Sequence, residues 1–442
     1  MRACLGLGAS APGELGGRFG ENPDISYYPG PESSAMSENW WVVFAAFLCL
    51  LFMFAVPTFM IPVLYSLIID EFGWSRTQVT LFATVKFSSG ALIGVMFGFL
   101  LDRISIRKIV IASGALSGIA MISFLLIDSL VKFYAVGLAL GIGAIGIMIS
   151  MKVLVSHSFR DRQGFAIGMA LLGTSVGGAL IRATTPGLAA SFGWRGAVAL
   201  MSGGIWLIAL PLFLLIVRED EQPGAARERG DDADLSAVLR NRTFWMMGLA
   251  VVLIGFVDQA ISQHFVLYLD KDVGLGLALA ARAASIATLI SIGGKVGFGL
   301  VYDKLSVRGV MICYVLMAIA ALIAIPVEGT MLLGALLLTR GLAHGGAIVD
   351  IPVMAKHCFG PKLLGRTIGL LTAFVTVGFA AGPPIVGYLY DTQGTYRYAF
   401  MMLAGMAVAA GLVLLAVKPV YWEAHIRLRH GKESAPQTAE TV

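Results

Sequence analysis

The sequence predicts an all-α membrane protein of twelve transmembrane helices in two pseudo-symmetric six-helix bundles. Three observations carry this expectation. The 442 residues are 57% hydrophobic and only 13% charged, with mean hydropathy +0.83, whereas soluble domains carry about 25% charged residues. Apolar runs long enough to cross a bilayer recur along the chain. Two short charged patches, Gly98-x-x-x-Asp102-Arg103-x-Ser105-x-Arg107-Lys108 and Gly299-x-x-x-Asp303-Lys304-x-Ser306-x-Arg308, are near copies placed 201 positions apart. A charged hinge between apolar helices, repeated once per half, marks a duplicated membrane-spanning unit.

A helix needs about 20 apolar residues to cross the hydrocarbon core. Such runs occupy 41–69, 77–101, 109–127, 131–156, 164–190 and 196–217, then 243–269, 277–302, 310–325, 330–356, 367–390 and 398–417. The stretch 218–242 between the two sets is polar and holds Glu219, Asp220, Glu221, Asp231, Asp232 and Asp234 among arginines. The expected organisation is therefore an N-terminal tail at 1–40, a first bundle at 41–217, a cytoplasmic linker at 218–242, a second bundle at 243–417 and a C-terminal tail at 418–442. The first 35 residues lack the basic and apolar regions of a signal peptide; they read as a disordered tail or as a start that truly falls at Met36.

Further echoes support the duplication. His157-Ser-Phe159 before Gly168 recurs as His357-Cys-Phe359 before Gly369, and Gly193-Trp194-Arg195 recurs as Gly394-Thr-Tyr396-Arg397, all at offsets of 200 to 202. Positive charge sets the expected orientation. Loops on one side hold Arg103, Arg107, Lys108, Arg160, Arg162, Arg218, Lys304, Arg308, Lys356, Lys362 and Arg366, while the opposite loops hold only Arg76, Lys132, Arg195, Lys271 and Arg397. Basic loops stay in the cytoplasm, so both termini are expected there and the protein in the cytoplasmic (inner) membrane.

Several function classes are excluded by these patterns. The formal charge of +5 lies in short interhelical loops and not on one basic stripe, so nucleic acid is no partner. Cys4, Cys49, Cys313 and Cys358 show no ligand spacing, which argues for free thiols and no metal. The glycine clusters Gly137/Gly141/Gly143, Gly173/Gly177/Gly178 and Gly293/Gly294/Gly297/Gly299 lie inside membrane runs, where small residues let helices approach; no GxxxxGK[ST] accompanies them. No cofactor is implied. No HExxH, GxSxG or paired catalytic carboxylates lie in the spans, so an enzyme is not expected. Pro57, Pro62, Pro186 and the Pro383-Pro384 pair mark expected bends.

From residue 36 onward the chain resembles the major facilitator superfamily, whose signature between helices two and three is the Gly-x-x-x-Asp-Arg/Lys hinge, here with Ser105 where Gly is usual. Within it, Phe192-Gly193-Trp194-Arg195-Gly196, and Gly382-Pro383-Pro384-x-x-Gly387 with Asp391 and Tyr396-Arg397-Tyr398, resemble the monocarboxylate transporter branch and its oxalate/formate-antiporter-like relatives. The resemblance implies a secondary carrier for a small organic anion, a monocarboxylate by branch, working as a monomer by alternating access and coupled to protons. Its alternatives are an anion exchanger of the oxalate/formate type, a drug or metabolite exporter, and, from another class, a non-transporting receptor on a carrier fold. It also implies that a helix-eight cation contacts the substrate carboxylate. The matching position is Lys295, eight residues before Asp303, where the branch usually has arginine; lysine keeps the charge and loses the bidentate fork.

An ionisable group inside the bilayer costs at least about 2.5–3.5 kcal/mol and faces the bundle interior or a wet cavity. The spans contain Lys86, Lys152, Arg182, Arg282, Lys295 and Arg340 against Asp258 and Asp350, a positive bias that suits an anion. Lys152 and Arg282 lie near span ends and read as snorkelling side chains. The substrate-binding candidates are Lys295, Arg182, Arg340 and Lys86, each weighed against a structural ion pair, for Lys295 a pair with Asp258. Asp258, about mid-membrane in span seven, is the proton-coupling candidate. His344, one turn after Arg340, is a further member of a polar patch, while His264, Tyr65 and Tyr268 read as interface residues. The gating candidates are Asp102, Arg103, Arg107, Asp303, Lys304, Arg308, Arg162 and Arg366, with latches expected between Asp102 and Arg366 and between Asp303 and Arg162.

Overall fold

The computed structural model describes residues 40–101, 104–159, 163–217, 235–326, 329–360 and 363–421, and these are helical, with no strand among them. Twelve long helices follow the expected order: α1 Trp40–Phe72, α2 Arg76–Leu101, α3 Ile106–Leu126 and α4 Leu130–Ser158, α5 (163–192) and α6 (194–216). After a short helix at Leu235–Arg240 come α7 Arg242–Asp272 and α8 Leu277–Leu305, α9 Val307–Ala324, α10 Gly329–Phe359, α11 Leu364–Gln393 and α12 Arg397–Ala416. Most overrun their apolar stretch by a turn at one end or both. A helix satisfies its own backbone whatever its side chains, so it continues past the hydrocarbon boundary until a residue stops it.

The stops are local. Gly73 (φ 66°) ends α1 and Gly394 (φ 68°) ends α11, each in the left-handed conformation with its N–H donating to a carbonyl one turn back, Ile69 and Tyr390 respectively; a side chain there would meet its own backbone. Between α5 and α6 no loop intervenes. The chain turns on Gly193 alone (φ 69°, ψ 161°), a region open to glycine only. At the second hinge Ser306 itself adopts φ 51° between α8 and α9, and its hydroxyl meets His357 Nδ1 at 2.9 Å. Its counterpart Ser105 stays at φ −59°, so the duplicated hinges are not conformational copies.

Buried apolar side chains form two clusters. One draws on α1–α6 and includes Leu267 of α7; the other draws on residues 238–417 and includes Val63 of α1. The exchange of one residue each marks the α1–α7 crossing. Glycines set the close approaches: a Cβ on Gly141 would fall 2.1 Å from the Lys86 carbonyl, on Gly173 2.3 Å from that of Phe47, and on Gly294 2.5 Å from that of Leu342. Gly293, Gly297 and Gly299 have nothing within 4 Å and so do not pack helices, unlike the rest of their clusters.

The two halves meet at the end where α1 joins α2 and α11 joins α12. Asp391 Oδ1 and Oδ2 accept the first α2 amides, Arg76 at 3.0 Å and Thr77 at 2.9 Å, so a carboxylate of the second half caps a helix of the first. The Arg76 guanidinium lies 3.4 Å over the Tyr390 ring and pairs with Asp272 at 2.6 Å. Lys271 pairs with Asp70 at 2.6 Å. Thr84 donates to the Ala380 carbonyl at 2.6 Å.

Replacing Gly193 with Ala should cost about 1–3 kcal/mol and lower the apparent melting temperature of the detergent-purified protein. Gly187→Ala, in open space within the same helix, should leave it unchanged or raised. Equal melting of Gly193→Ala and wild type would show that the α5–α6 turn does not depend on glycine.

Candidate functional site

The seam between α5 and α8 joins the halves through a short ladder. Arg182 of α5 donates to the hydroxyl of Thr288 on α8. Two turns further toward the hinges, Lys295 Nζ of α8 donates to Ser175 Oγ of α5 at 2.6 Å. Ser285 Oγ donates to the Ala179 carbonyl at 2.7 Å. Lys295 is held in place from behind, because Gly294 and Gly345 bring α8 and α10 into backbone contact; a Cβ on Gly345 would lie 2.6 Å from the Lys295 amide.

Beside Arg182 lies a small cavity of about 30 Å³ lined by Arg182, Ser262, Thr288, Arg340 and His344 together with Phe265 and small residues of α8 and α10. That is about the share of one water molecule. The two arginines there differ in kind. Arg340 Nη1 pairs with Asp258 Oδ1 at 2.7 Å, and its Nη2 donates to the Asp258 carbonyl at 3.0 Å and Ser262 Oγ at 2.6 Å, so its charge is neutralised and its donors are used. Arg182 is buried, its guanidinium 4.6 Å from the Phe59 ring centroid and on a hydroxyl, with a carboxylate on neither contact. His344 Nδ1 meets Asp258 Oδ1 at 2.8 Å. The His344 side chain is 24% exposed against 8% for Asp258 and 6% for Arg340, so the imidazole is the most open part of this trio.

The sequence-predicted residues are thus partly gathered. Arg182, Arg340, His344 and Asp258 converge, with Lys295 along the seam. Asp258 takes Arg340 and not Lys295 as its partner, which corrects the expected alternative: the two residues sit on α7 and α8, but the Lys295 stem runs toward α5. Lys86 is buried on α2, donating to Thr58 Oγ1 at 2.7 Å and the Pro57 carbonyl at 3.4 Å, and is not among the cavity-lining residues. Asp350 is buried against Tyr314, whose hydroxyl donates to it at 2.7 Å.

Three residues read as interfacial are interior. His264 is buried, with Nδ1 2.7 Å from the Tyr396 hydroxyl and Nε2 2.8 Å from the Pro383 carbonyl. Tyr65 donates to Gln263 Oε1 at 3.1 Å across the α1–α7 crossing, and Tyr268 donates to the Ala324 carbonyl. Each lies near a helix end in sequence, but Tyr65 meets α7 of the other half, while His264 and Tyr268 meet α9, α11 and α12 of their own half. Lys152 and Arg282 are exposed. Of the gating candidates, Asp102, Arg103 and Arg162 lie outside the described residues, and with them one member of each expected latch. Arg107 donates to the Leu214 carbonyl at 3.3 Å; Asp303, Lys304, Arg308 and Arg366 are exposed.

Sequence reasoning missed the hydroxyls. Ser175, Ser262 and Thr288 carry the hydrogen bonds of the site, and the available signal was a hydroxyl seven positions from a cation on the same apolar helix, Ser175 before Arg182 and Thr288 before Lys295. Arg76 and Asp391, which meet where α11 joins the start of α2, stand in the sequence as a loop charge and a motif residue, with nothing local to pair them.

Comparison with known proteins agrees with this architecture. The chain is 26% identical over 387 residues to Monocarboxylate transporter 12-B of Danio rerio, covering 78% of each. It is 23% identical over 393 residues to the nitrite extrusion protein of Bacillus subtilis, covering 86% of this chain and 95% of that one. Among solved structures, a bacterial homolog of the human lysosomal transporter Spinster, inward-facing and unoccupied, superposes with a TM-score of 0.71 at 19% identity, over 91% of this chain and 100% of that one. The nucleoside transporter NupG gives a TM-score of 0.71 at 12% identity, over 85% and 99%. The family profile described as Major Facilitator Superfamily matches residues 43–349 and 298–437. The chain belongs to the major facilitator superfamily and is a multi-pass membrane transporter, not an enzyme.

Proposed function

We propose that this transporter moves a small organic anion, of the carboxylate class, by alternating access coupled to protons. The observation that carries the reading is Arg182: a buried cation that lines a cavity between the halves while the neighbouring acid, Asp258, is committed to Arg340 and His344. A cation without a counter-charge at membrane depth is costly, and an anionic ligand relieves that cost. The names of two relatives, monocarboxylate transporter and nitrite extrusion protein, both denote anions, which supports an anionic substrate, and the first supports a carboxylate. Lys295 adds a second charge at the position where the branch carries its substrate-binding cation.

Alternating access follows from the duplication. The bundles at 41–217 and 243–417 rock about the α5–α8 seam, tethered by the 218–242 linker, with the hinge loops on the cytoplasmic side where their basic residues belong. The Asp391 cap and the Arg76–Asp272 and Lys271–Asp70 pairs then hold the outer side closed. The carrier acts as a monomer in the inner membrane.

Coupling runs through Asp258. An anion arriving at the cavity competes with Asp258 for Arg340, and the displaced carboxylate, with His344 against it, is the group that takes the proton carried with substrate. Removing the acid leaves the Arg340 charge unpaired, a loss of about 3–5 kcal/mol for a buried pair.

Reconstituted into proteoliposomes, the protein should take up labelled carboxylates, with accumulation driven by an acid-outside pH gradient. Lack of uptake of any small carboxylate would overturn the reading. Lys295→Gln should reduce uptake at least about tenfold and leave the protein in the membrane, with Lys295→Arg retaining part of the rate. Wild-type uptake by the Gln variant would remove Lys295 from the site. Asp258→Asn, made with Arg340→Gln if the single variant is unstable, should keep counterflow exchange and lose gradient-driven accumulation. Accumulation by that variant against its gradient would place the coupling elsewhere.

A further inference from the structure

The α5–α8 ladder has a symmetry that a site for one carboxylate does not require. Each half contributes one cation and one hydroxyl, and in each the two are seven residues apart: Ser175 and Arg182 on α5, Thr288 and Lys295 on α8. The helices run antiparallel, so each cation lies on the hydroxyl of the opposite half, Arg182 on Thr288 and Lys295 on Ser175. Neither contact supplies a negative charge. The acid nearest the Arg182 end, Asp258, already holds Arg340 and His344, and Asp350 is buried against Tyr314. The seam therefore presents two un-neutralised charges, one from each half, at two levels.

We propose that these two cations hold the two ends of a short dicarboxylate, so that the carrier selects a dianion of about four or five carbons over a monoanion of the same length. This rests on the anion-carrier reading above and names its substrate class. Seven residues of helix separate the rungs by about 10 Å along the axis. Charge-assisted hydrogen bonds of about 2.8 Å at each end leave about 5 Å between the outermost acceptor oxygens, a span that a four- or five-carbon diacid meets with its chain bent and that exceeds what a two-carbon dianion covers. One carboxylate replaces Thr288 as the partner of Arg182, where Ser262 and His344 line the same cavity. The other replaces Ser175 on Lys295. A monoanion reaches one rung and leaves the other cation uncompensated. Because the two grips belong to different halves, a bound dianion also ties the bundles together at the point about which they move.

The test uses the full-length protein in proteoliposomes and two pairs of acids matched in length and shape, succinate with its half-amide succinamate and glutarate with glutaramate. The proposal expects inhibition of labelled succinate counterflow by succinate or glutarate at concentrations about tenfold or more below those of their half-amides. Arg182→Gln should bring that ratio close to one, and Arg182→Lys should restore part of it. Half-amides that compete as well as the diacids in the wild type, or uptake of pyruvate and lactate with none of succinate, would overturn the two-ended grip and leave the anion-carrier reading standing. Uptake of neither acid class would overturn both. Since the wild-type ratio alone decides the matter, a variant that fails to fold does not shelter the proposal.

Discussion

Charge in hydrocarbon is the constraint from which the rest of this structure follows. A helix can cross the bilayer because it satisfies its own backbone, but a guanidinium or ammonium within it needs partners from other helices. Arg340 shows the solved case, with Asp258, its backbone carbonyl and Ser262 occupying the guanidinium. Lys86 shows a partial one, resting on the Thr58 hydroxyl and the Pro57 carbonyl of α1. Arg182 and Lys295 are left on hydroxyls of the opposite half, and the proposed binding surface rests on this.

The same economy of partners organises the closed end of the molecule. The first amides of α2 have no acceptors within their own helix, and Asp391 supplies them from α11. Tyr396 and Tyr390 surround Arg76 there, and Tyr396 also meets His264. A glycine at 387 makes the approach feasible, since a Cβ would lie 2.8 Å from Thr77. Breaking this end exposes helix termini and aromatic rings to water, contacts that are individually modest and add up across the interface.

Much of the fold was legible because its signals are local. Apolar length predicts each span, and the repeated hinge predicts the duplication; the twelve helices fall where the runs do, apart from a turn at their ends. Ser306 was not legible as a left-handed residue, because its twin Ser105, in the same motif, is not one. The charged members of the site were legible for the same reason that they are costly. Their pairing was not. Asp258 lies closer in sequence to Lys295 than to Arg340, and only helix rotation decides that the acid faces α10. His264 and Tyr65 looked interfacial because sequence gives depth along a helix but not the identity of the neighbour at that depth.

A structure of the carrier determined with a transported carboxylate bound tests the central claim most directly. The account predicts a carboxylate within about 2.7–2.9 Å of the Arg182 guanidinium, with Thr288 no longer its partner and the Arg340–Asp258 pair lengthened or protonated. An anion seated elsewhere, with Arg182 still on Thr288 and Lys295 still on Ser175, would contradict it.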